Sequence, residues 1–312
     1  MIKKETILIN EITHGFIMCE QNKKAPVILY LHGGPGSPEY PIFQSQLNSS
    51  YLCEFNVCYY DHRGCGLSFN KKCTLSLNVL IEDVLTITRY LIKKYNKKNI
   101  VLVAHSFGTY LGIKAVQSHP EYYAAYVGIS QITNVRESEK RIYNELLKVC
   151  QENQDYKGIK LLRENTNSLK TLSNYYMQNV KGRLLKRYEL GLTREPLPTN
   201  FMIRKLFSFP IYSFKNKVSY CKGLIHSSKS LFPMTKEINL LEHSYDFKIP
   251  IYFIHGIYDY QIALSLVQAY FGLLNSPKKE IIIFEESAHF PNFEEPEKFN
   301  EILNSLCRVH HL

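Results

Sequence analysis

Apolar and polar positions along this chain follow two rhythms. Short runs of Val, Ile, Leu and Tyr end in glycine- or histidine-bearing loops. Longer stretches repeat their apolar positions every three or four residues. The first pattern marks strands and the second amphipathic helices. Residues 5–18 alternate loosely, which predicts two early antiparallel strands with His14-Gly15 between them. The runs Ala25–Leu31, Phe55–Tyr60 and Val101–Ala104 are almost continuously apolar. Such runs fit strands buried on both faces of a parallel sheet. Helical spacing covers Asn78–Tyr95, where Lys93, Lys94, Lys97 and Lys98 collect at the end favoured by the helix dipole. A helix to about Ser118 and a strand over Ala124–Ser130 follow.

From Val135 the rhythm of strand, glycine loop and helix stops. The stretch to Tyr245 is rich in Lys, Asn, Tyr and Leu at helical spacing and reads as an inserted helical cap. Ile249–Ile254 restores the strand pattern, then come a helix over Ile262–Leu274, a strand over Glu280–Phe284 and a closing helix over Pro296–Val309. The expected fold class is α/β, a mostly parallel doubly wound sheet with an inserted cap. Residues 1–134 and 246–312 form the expected core and 135–245 the cap.

Composition narrows the possibilities. Of 312 residues, 45% are hydrophobic and 21% charged, as in a soluble globular protein, and no apolar run is long enough to span a membrane. With no leader-like segment at the start, the expected location is cytoplasmic, with no membrane partner. The eight cysteines form no C-x-x-C pair and no zinc-like spacing with histidine, so neither a metal nor a cofactor is expected. The net charge of +10 arises between residues 135 and 248, which hold 21 Lys and Arg against 11 Asp and Glu. No nucleic-acid motif accompanies it, and no nucleic-acid partner is expected.

The candidate chemistry lies at strand ends, where open α/β sheets carry their sites. Ala104-His105-Ser106-Phe107-Gly108 is an A-x-S-x-G version of the strand-to-helix elbow that presents a serine nucleophile. Asp259 follows the strand 249–254 and His289 follows the strand 280–284. A serine hydroxyl is a poor nucleophile without a base, an imidazole can take its proton, and a carboxylate can hold the imidazole in one tautomer. The loop Gly33-Gly34 follows the strand 25–31, and the backbone N–H groups of Gly34 and Phe107 are candidate oxyanion donors. His32, His62 and His255 also sit at strand ends and read as hydrogen-bonding loop residues. His105 reads as structural rather than as the base.

Five segments together resemble the proline iminopeptidase family of α/β-hydrolases. They are His32–Gly36, Asp61–Ser68, Ala104–Gly108, Gly256–Asp259 and Ala288–Glu297. The pairing of H-G-G-P-G with D-x-R-G-x-G-x-S is the most specific part. The resemblance implies Ser106 as nucleophile, Asp259 and His289 as its partners, and Gly34 with Phe107 as the oxyanion hole. Family aminopeptidases bind the free ammonium of the substrate with carboxylates, some of them from the cap. Where a cap signature A-R-x-E-x-H-Y is expected, this chain reads Ser219-Tyr220-Cys221-Lys222-Gly223-Leu224-Ile225-His226, with no glutamate. Candidate substrate-binding residues are therefore Gly33, Glu39, Glu189, Glu195 and Glu295, with Glu237 and Glu242 also available. The expected activity is release of a small or proline N-terminal residue from a short peptide. Hydrolysis of a small-molecule ester or amide, and non-catalytic ligand binding on the same fold, are the alternatives.

Overall fold

The computed structural model describes residues 2–9, 11–47, 54–198, 200–242 and 245–309. In chain order it contains β1 (Ile2–Ile9), β2 (Ile12–Cys19), β3 (Val27–Leu31), α1 (Tyr40–Leu47), β4 (Asn56–Tyr60), α2 (Leu77–Tyr95), β5 (Ile100–His105), α3 (Phe107–Ser118) and β6 (Tyr123–Ile129). Next come α4 (Val135–Glu152), α5 (Tyr156–Glu164), α6 (Thr166–Lys170), a π-helical turn (Tyr176–Lys181), α7 (Gly182–Arg187), α8 (Phe201–Ser208) and α9 (Phe214–Thr235). The chain closes with β7 (Tyr245–Asp246), β8 (Ile251–Gly256), α10 (Leu264–Leu273), β9 (Leu274–Asn275), β10 (Lys279–Phe284), α11 (Pro291–Glu294) and α12 (Pro296–Val309).

Eight strands form one sheet in the order β1-β2-β4-β3-β5-β6-β8-β10. β2 is antiparallel to both neighbours, and from β4 to β10 every pairing is parallel. The continuously apolar runs are those buried on both faces. Leu29, Leu31, Leu102, Ala104 and Phe253 pack on one side with α2, α3 and α10, while Ile28, Tyr30, Val101, Val103 and Ile254 pack on the other. Parallel pairing brings the carboxyl ends of β3, β5, β8 and β10 to one edge, which positions everything that follows.

Two boundaries differ from the sequence pattern. His14 and Gly15 lie inside β2 rather than in a turn, and the chain reverses next to Glu11, whose φ is +65°. Gly15 is fixed there by close approach, since a Cβ on it would come within about 2.2 Å of the Leu67 Cβ. β8 begins at Ile251 and not at Ile249, because Pro250 has no N–H to give to a ladder.

The helices between β6 and β8 pack in two ways. α4, α5, α6, the π turn and α7 share a cluster around Ile142, Leu146, Leu162, Tyr176 and Leu184. Leu206, Phe209, Tyr212 and Tyr220, from α8, α9 and the link between them, join the sheet's own core instead. The Tyr212 hydroxyl donates to Asp61, whose carboxyl burial pushes up to about 7. Next to it, Arg63 makes a bidentate pair with buried Asp83, with N···O distances of 2.7 and 2.6 Å. The loop after β4 is thereby tied to α2 and to the segment leading into α9.

Candidate active site

The turn from β5 into α3 is too tight for ordinary backbone angles. Ser106 sits at φ +48° and ψ −119°, and its N–H donates to Ile129 O at 2.9 Å. Gly108 follows because a Cβ there would stand about 2.6 Å from Leu31 O. Ala104 satisfies the other flank, fully buried in the sheet. The Ser106 side chain makes no capping bond to α3, so the hydroxyl is left for another partner.

That partner is His289, in the loop after β10. Its Nε2 lies 3.0 Å from Ser106 Oγ, and its Nδ1 lies 2.8 Å from Asp259 Oδ2. A carboxylate only accepts, so Nδ1 carries the proton and Nε2 is the lone pair facing the serine hydroxyl. Asp259 Oδ1 accepts the N–H groups of Gln261 at 2.7 Å and Ile262 at 3.0 Å. Burial by itself would raise the Asp259 carboxyl. The facing His289, His255 and the Ile262 N–H outweigh it and hold the acid well below the usual carboxylate range. The structure thus joins three residues 183 and 30 positions apart in one hydrogen-bonded line.

A second buried line runs behind the first. Glu39 accepts from the Tyr30 hydroxyl at 2.6 Å and from Gly33 N–H at 2.7 Å, and its Oε1 is 2.5 Å from His105 Nδ1. His105 Nε2 is 2.8 Å from His289 O, a carbonyl that also accepts from Ser130 Oγ at 3.2 Å. Both His105 nitrogens face acceptors, so the ring is a donor on both sides and carries a charge. Burial opposes this, but Glu39 raises His105, and His105 in turn lowers Glu39. This ion pair pins the backbone of His289. The Glu39 contribution is present above the ordinary carboxylate range and is lost as pH falls through its folded value. The His105 contribution is present below the ordinary imidazole range and is lost as pH rises through its folded value. Glu39→Gln leaves an uncompensated buried charge and is expected to cost about 3 to 5 kcal/mol near neutral pH. Chemical denaturation across pH checks this, and the gap to wild type narrows toward acid.

Ser106, His289, Glu39 and His105 open on a cavity of about 260 Å³. Gly34, at φ +119°, and Phe107, the first residue of α3, line it too. Its apolar wall includes Ile132, Val135, Leu172, Met177 and Phe232. One polar group on that wall was not apparent from the sequence. Glu139 of α4 is buried; its Oε1 accepts from buried Lys181 Nζ at 2.7 Å, and its Oε2 has no partner among the described residues. The signal for it is positional, an acid in the apolar stripe Val135, Ile142, Leu146, Cys150.

The other candidate carboxylates lie elsewhere. Glu189, at φ +56°, and Glu195 are exposed, and Glu295 accepts from Ser287 Oγ at 2.5 Å and Glu286 N at 3.2 Å, away from the cavity lining. Glu237 is an exposed partner of Arg136, and Glu242 accepts from Asn239 Nδ2 at 2.9 Å on the surface. Gly33 has no room for a side chain, since a Cβ would stand about 2.9 Å from Glu39 Oε1. Of the strand-end histidines, His32 is hydrogen-bonded, its Nδ1 2.7 Å from Gly33 O and its Nε2 accepting His62 N–H at 3.1 Å. The ring of His62 instead has no hydrogen-bond partner among the described residues and stacks on His32 with centroids 3.8 Å apart, while His255 Nε2 lies 3.8 Å from Asp259 Oδ2. Burial lowers both, and lowers His32 to about 4, so these rings are neutral at pH 7. Among the described residues no cluster of three or more His, Cys, Asp or Glu is arranged to hold a metal. No described helix is long and apolar enough to cross a membrane.

A sequence profile described as the alpha/beta hydrolase fold matches residues 26–296. A Bacillus subtilis protein named probable aminopeptidase YbaC is 27% identical over 331 aligned positions, covering 99% of each chain. A proline iminopeptidase of Saccharolobus solfataricus is 24% identical over 293 positions, covering 89% of this chain and 84% of its own. Among solved structures, the proline iminopeptidase of Mycobacterium smegmatis superposes with a TM-score of 0.70 at 15% identity, covering 99% of this chain and 98% of its own.

Proposed function

The chain belongs to the α/β-hydrolase fold family, and on that premise we propose that it is a serine hydrolase working by acyl transfer through Ser106, His289 and Asp259. The observation that carries the reading is the hydrogen-bonded line Asp259–His289–Ser106, 2.8 and 3.0 Å, ending at the cavity. Ser106 Oγ attacks the carbonyl carbon as His289 Nε2 takes its proton. The N–H groups of Gly34 and Phe107 receive the negative oxygen. The first-turn N–H groups of a helix have no intrahelical acceptor, which leaves Phe107 available for this. Each such donor contributes about 3 kcal/mol to lowering the barrier. His289 then protonates the leaving group, and the same imidazole activates the water that cleaves the acyl-enzyme and restores the serine.

The substrate we propose is a short peptide with a small or proline N-terminal residue, in keeping with the resemblance to proline iminopeptidase. The support is a small apolar cavity carrying two buried carboxylates beside the nucleophile. Glu139 Oε2, which has no donor among the described residues, is the acceptor we assign to the substrate ammonium, and Glu39 borders the same space. A buried ammonium requires such an acid.

One observation favours a second reading, hydrolysis of a neutral ester or amide. Each acid already faces a buried cation, Lys181 for Glu139 and His105 for Glu39. Prolyl and alanyl arylamides, their N-acetyl counterparts and short acyl esters separate the two. The peptidase reading predicts that the free amines are preferred. It also predicts that Glu139→Gln lowers kcat/KM for them by about 10- to 100-fold, the worth of one hydrogen bond to a charged group, with ester hydrolysis little changed. Ester turnover with no cleavage of any aminoacyl arylamide would sink it.

A further inference from the structure

We infer that the outer face of α8 and α9 docks onto an anionic lipid surface. Of the exposed large apolar side chains on these two helices, four project furthest: Ile203 is 62% exposed, Phe207 45%, Phe214 73% and Ile225 58%. They form one stripe. Ile203 and Phe207 are one turn apart on α8, the rings of Phe207 and Phe214 meet with centroids 6.5 Å apart, and exposed Cys221 and Ile225 follow Phe214 at helical spacing on α9. A contiguous apolar stripe on the outside of a globular protein marks a contact surface.

Charge selects the partner. Between Glu195 and Glu237 the sequence has seven Lys and Arg and no Asp or Glu. Arg204 lies beside Ile203, Lys215 beside Phe214 and Lys222 beside Cys221, all three exposed. Cations flanking a projecting aromatic and aliphatic stripe match the interface of an anionic bilayer, where apolar tips enter the headgroup boundary and lysines meet phosphate. A nucleic-acid site would have no use for the isoleucines. That no described helix is long and apolar enough to cross a membrane bears only on insertion across a bilayer; a helix lying in the interface needs no such span. The same helices carry Met202 and Phe232, which line the cavity beside Ser106.

Sedimentation of the full-length protein with phosphatidylcholine vesicles, with and without phosphatidylglycerol, tests this. Wild type is expected to pellet with the mixed vesicles and to stay in solution with phosphatidylcholine alone. Lys215→Gln with Lys222→Gln should cut the partition coefficient about fivefold per lysine. Ile203→Asp with Phe214→Asp should cut it at least tenfold, because both apolar tips are lost. Thermal midpoints close to wild type establish that both variants are folded. No binding to mixed vesicles overturns the inference, as does binding that Ile203→Asp with Phe214→Asp leaves unchanged. So do retention of RNA or DNA by these lysines without vesicle binding, and a dimer that the aspartates dissociate while vesicles are ignored. None of these outcomes touches the hydrolase reading, which is assayed on soluble substrates.

Discussion

Ser106→Ala is expected to lower kcat/KM on an activated ester by four to six orders of magnitude, roughly what loss of the nucleophile costs in serine hydrolases of this mechanism. The size follows from the lack of a substitute. Thr109 Oγ1 donates to Ser106 O at 2.5 Å, and Ser130 Oγ donates to His289 O at 3.2 Å, so the neighbouring hydroxyls are committed to backbone carbonyls. The fold should survive. The Ser106 hydroxyl caps no helix, and alanine at φ +48° and ψ −119° bears the same backbone strain as serine, about 1 to 3 kcal/mol. Steady-state rates on one ester, with thermal midpoints of both proteins, check the prediction. A variant that keeps a tenth of the activity would remove Ser106 from the mechanism.

Asp259→Asn carries the second largest expected effect, a fall in kcat of about 10⁴, as for the same change in the serine protease triad. An asparagine oxygen can still accept from Gln261 and Ile262, which turns its amide NH2 toward His289 Nδ1. Nδ1 must then accept, the ring proton moves to Nε2, and the imidazole can no longer take the proton of Ser106. Stability should change in a pH-dependent way. The folded Asp259 carboxyl is held below its ordinary range. Its contribution is therefore present above the unfolded carboxyl pKa and fades as pH falls through the folded value. Wild type should exceed Asp259→Asn in thermal midpoint at neutral pH, and the gap should close in strong acid. Kinetics and midpoints from one pH series measure both effects. A gap independent of pH would mean that Asp259 is not ionised in the folded protein.

The parts of this molecule that sequence reveals are those fixed by local chemistry. The runs at Val27–Leu31 and Val101–Ala104 can only be strands buried on both faces, and the loops after them must hold whatever the sheet presents at its carboxyl edge. That rule places Ser106, Asp259 and His289 among the strand-end candidates, and the chain order Ser…Asp…His together with the resemblance separates them from His32, His62 and His255. What sequence hides is set by distant pairing. Glu139 meets Lys181 across 42 positions, and nothing in either helix announces that both are buried. Glu39 is a candidate by its place just past the Gly33-Gly34 loop, but its buried partners Tyr30, Gly33 and His105 are visible only in the fold. The ring of His62 shows the converse: a strand-end histidine can be kept neutral by burial with no hydrogen-bond partner among the described residues. In the region of α4–α9, spacing identifies helices but not which face meets the cavity. Spacing alone therefore points to Glu189 and Glu195, which are exposed, and passes over Glu139.

The central claim is that Ser106 is a nucleophile activated by His289 in the folded protein. A fluorophosphonate tests this without knowledge of the substrate, because the serine oxygen forms a bond to phosphorus and fluoride leaves. Reaction with the folded protein followed by peptide mass mapping should place one adduct on Ser106 and none after unfolding in denaturant. A folded protein that takes up no adduct, or carries it on another residue with Ser106 unmodified, would contradict the account.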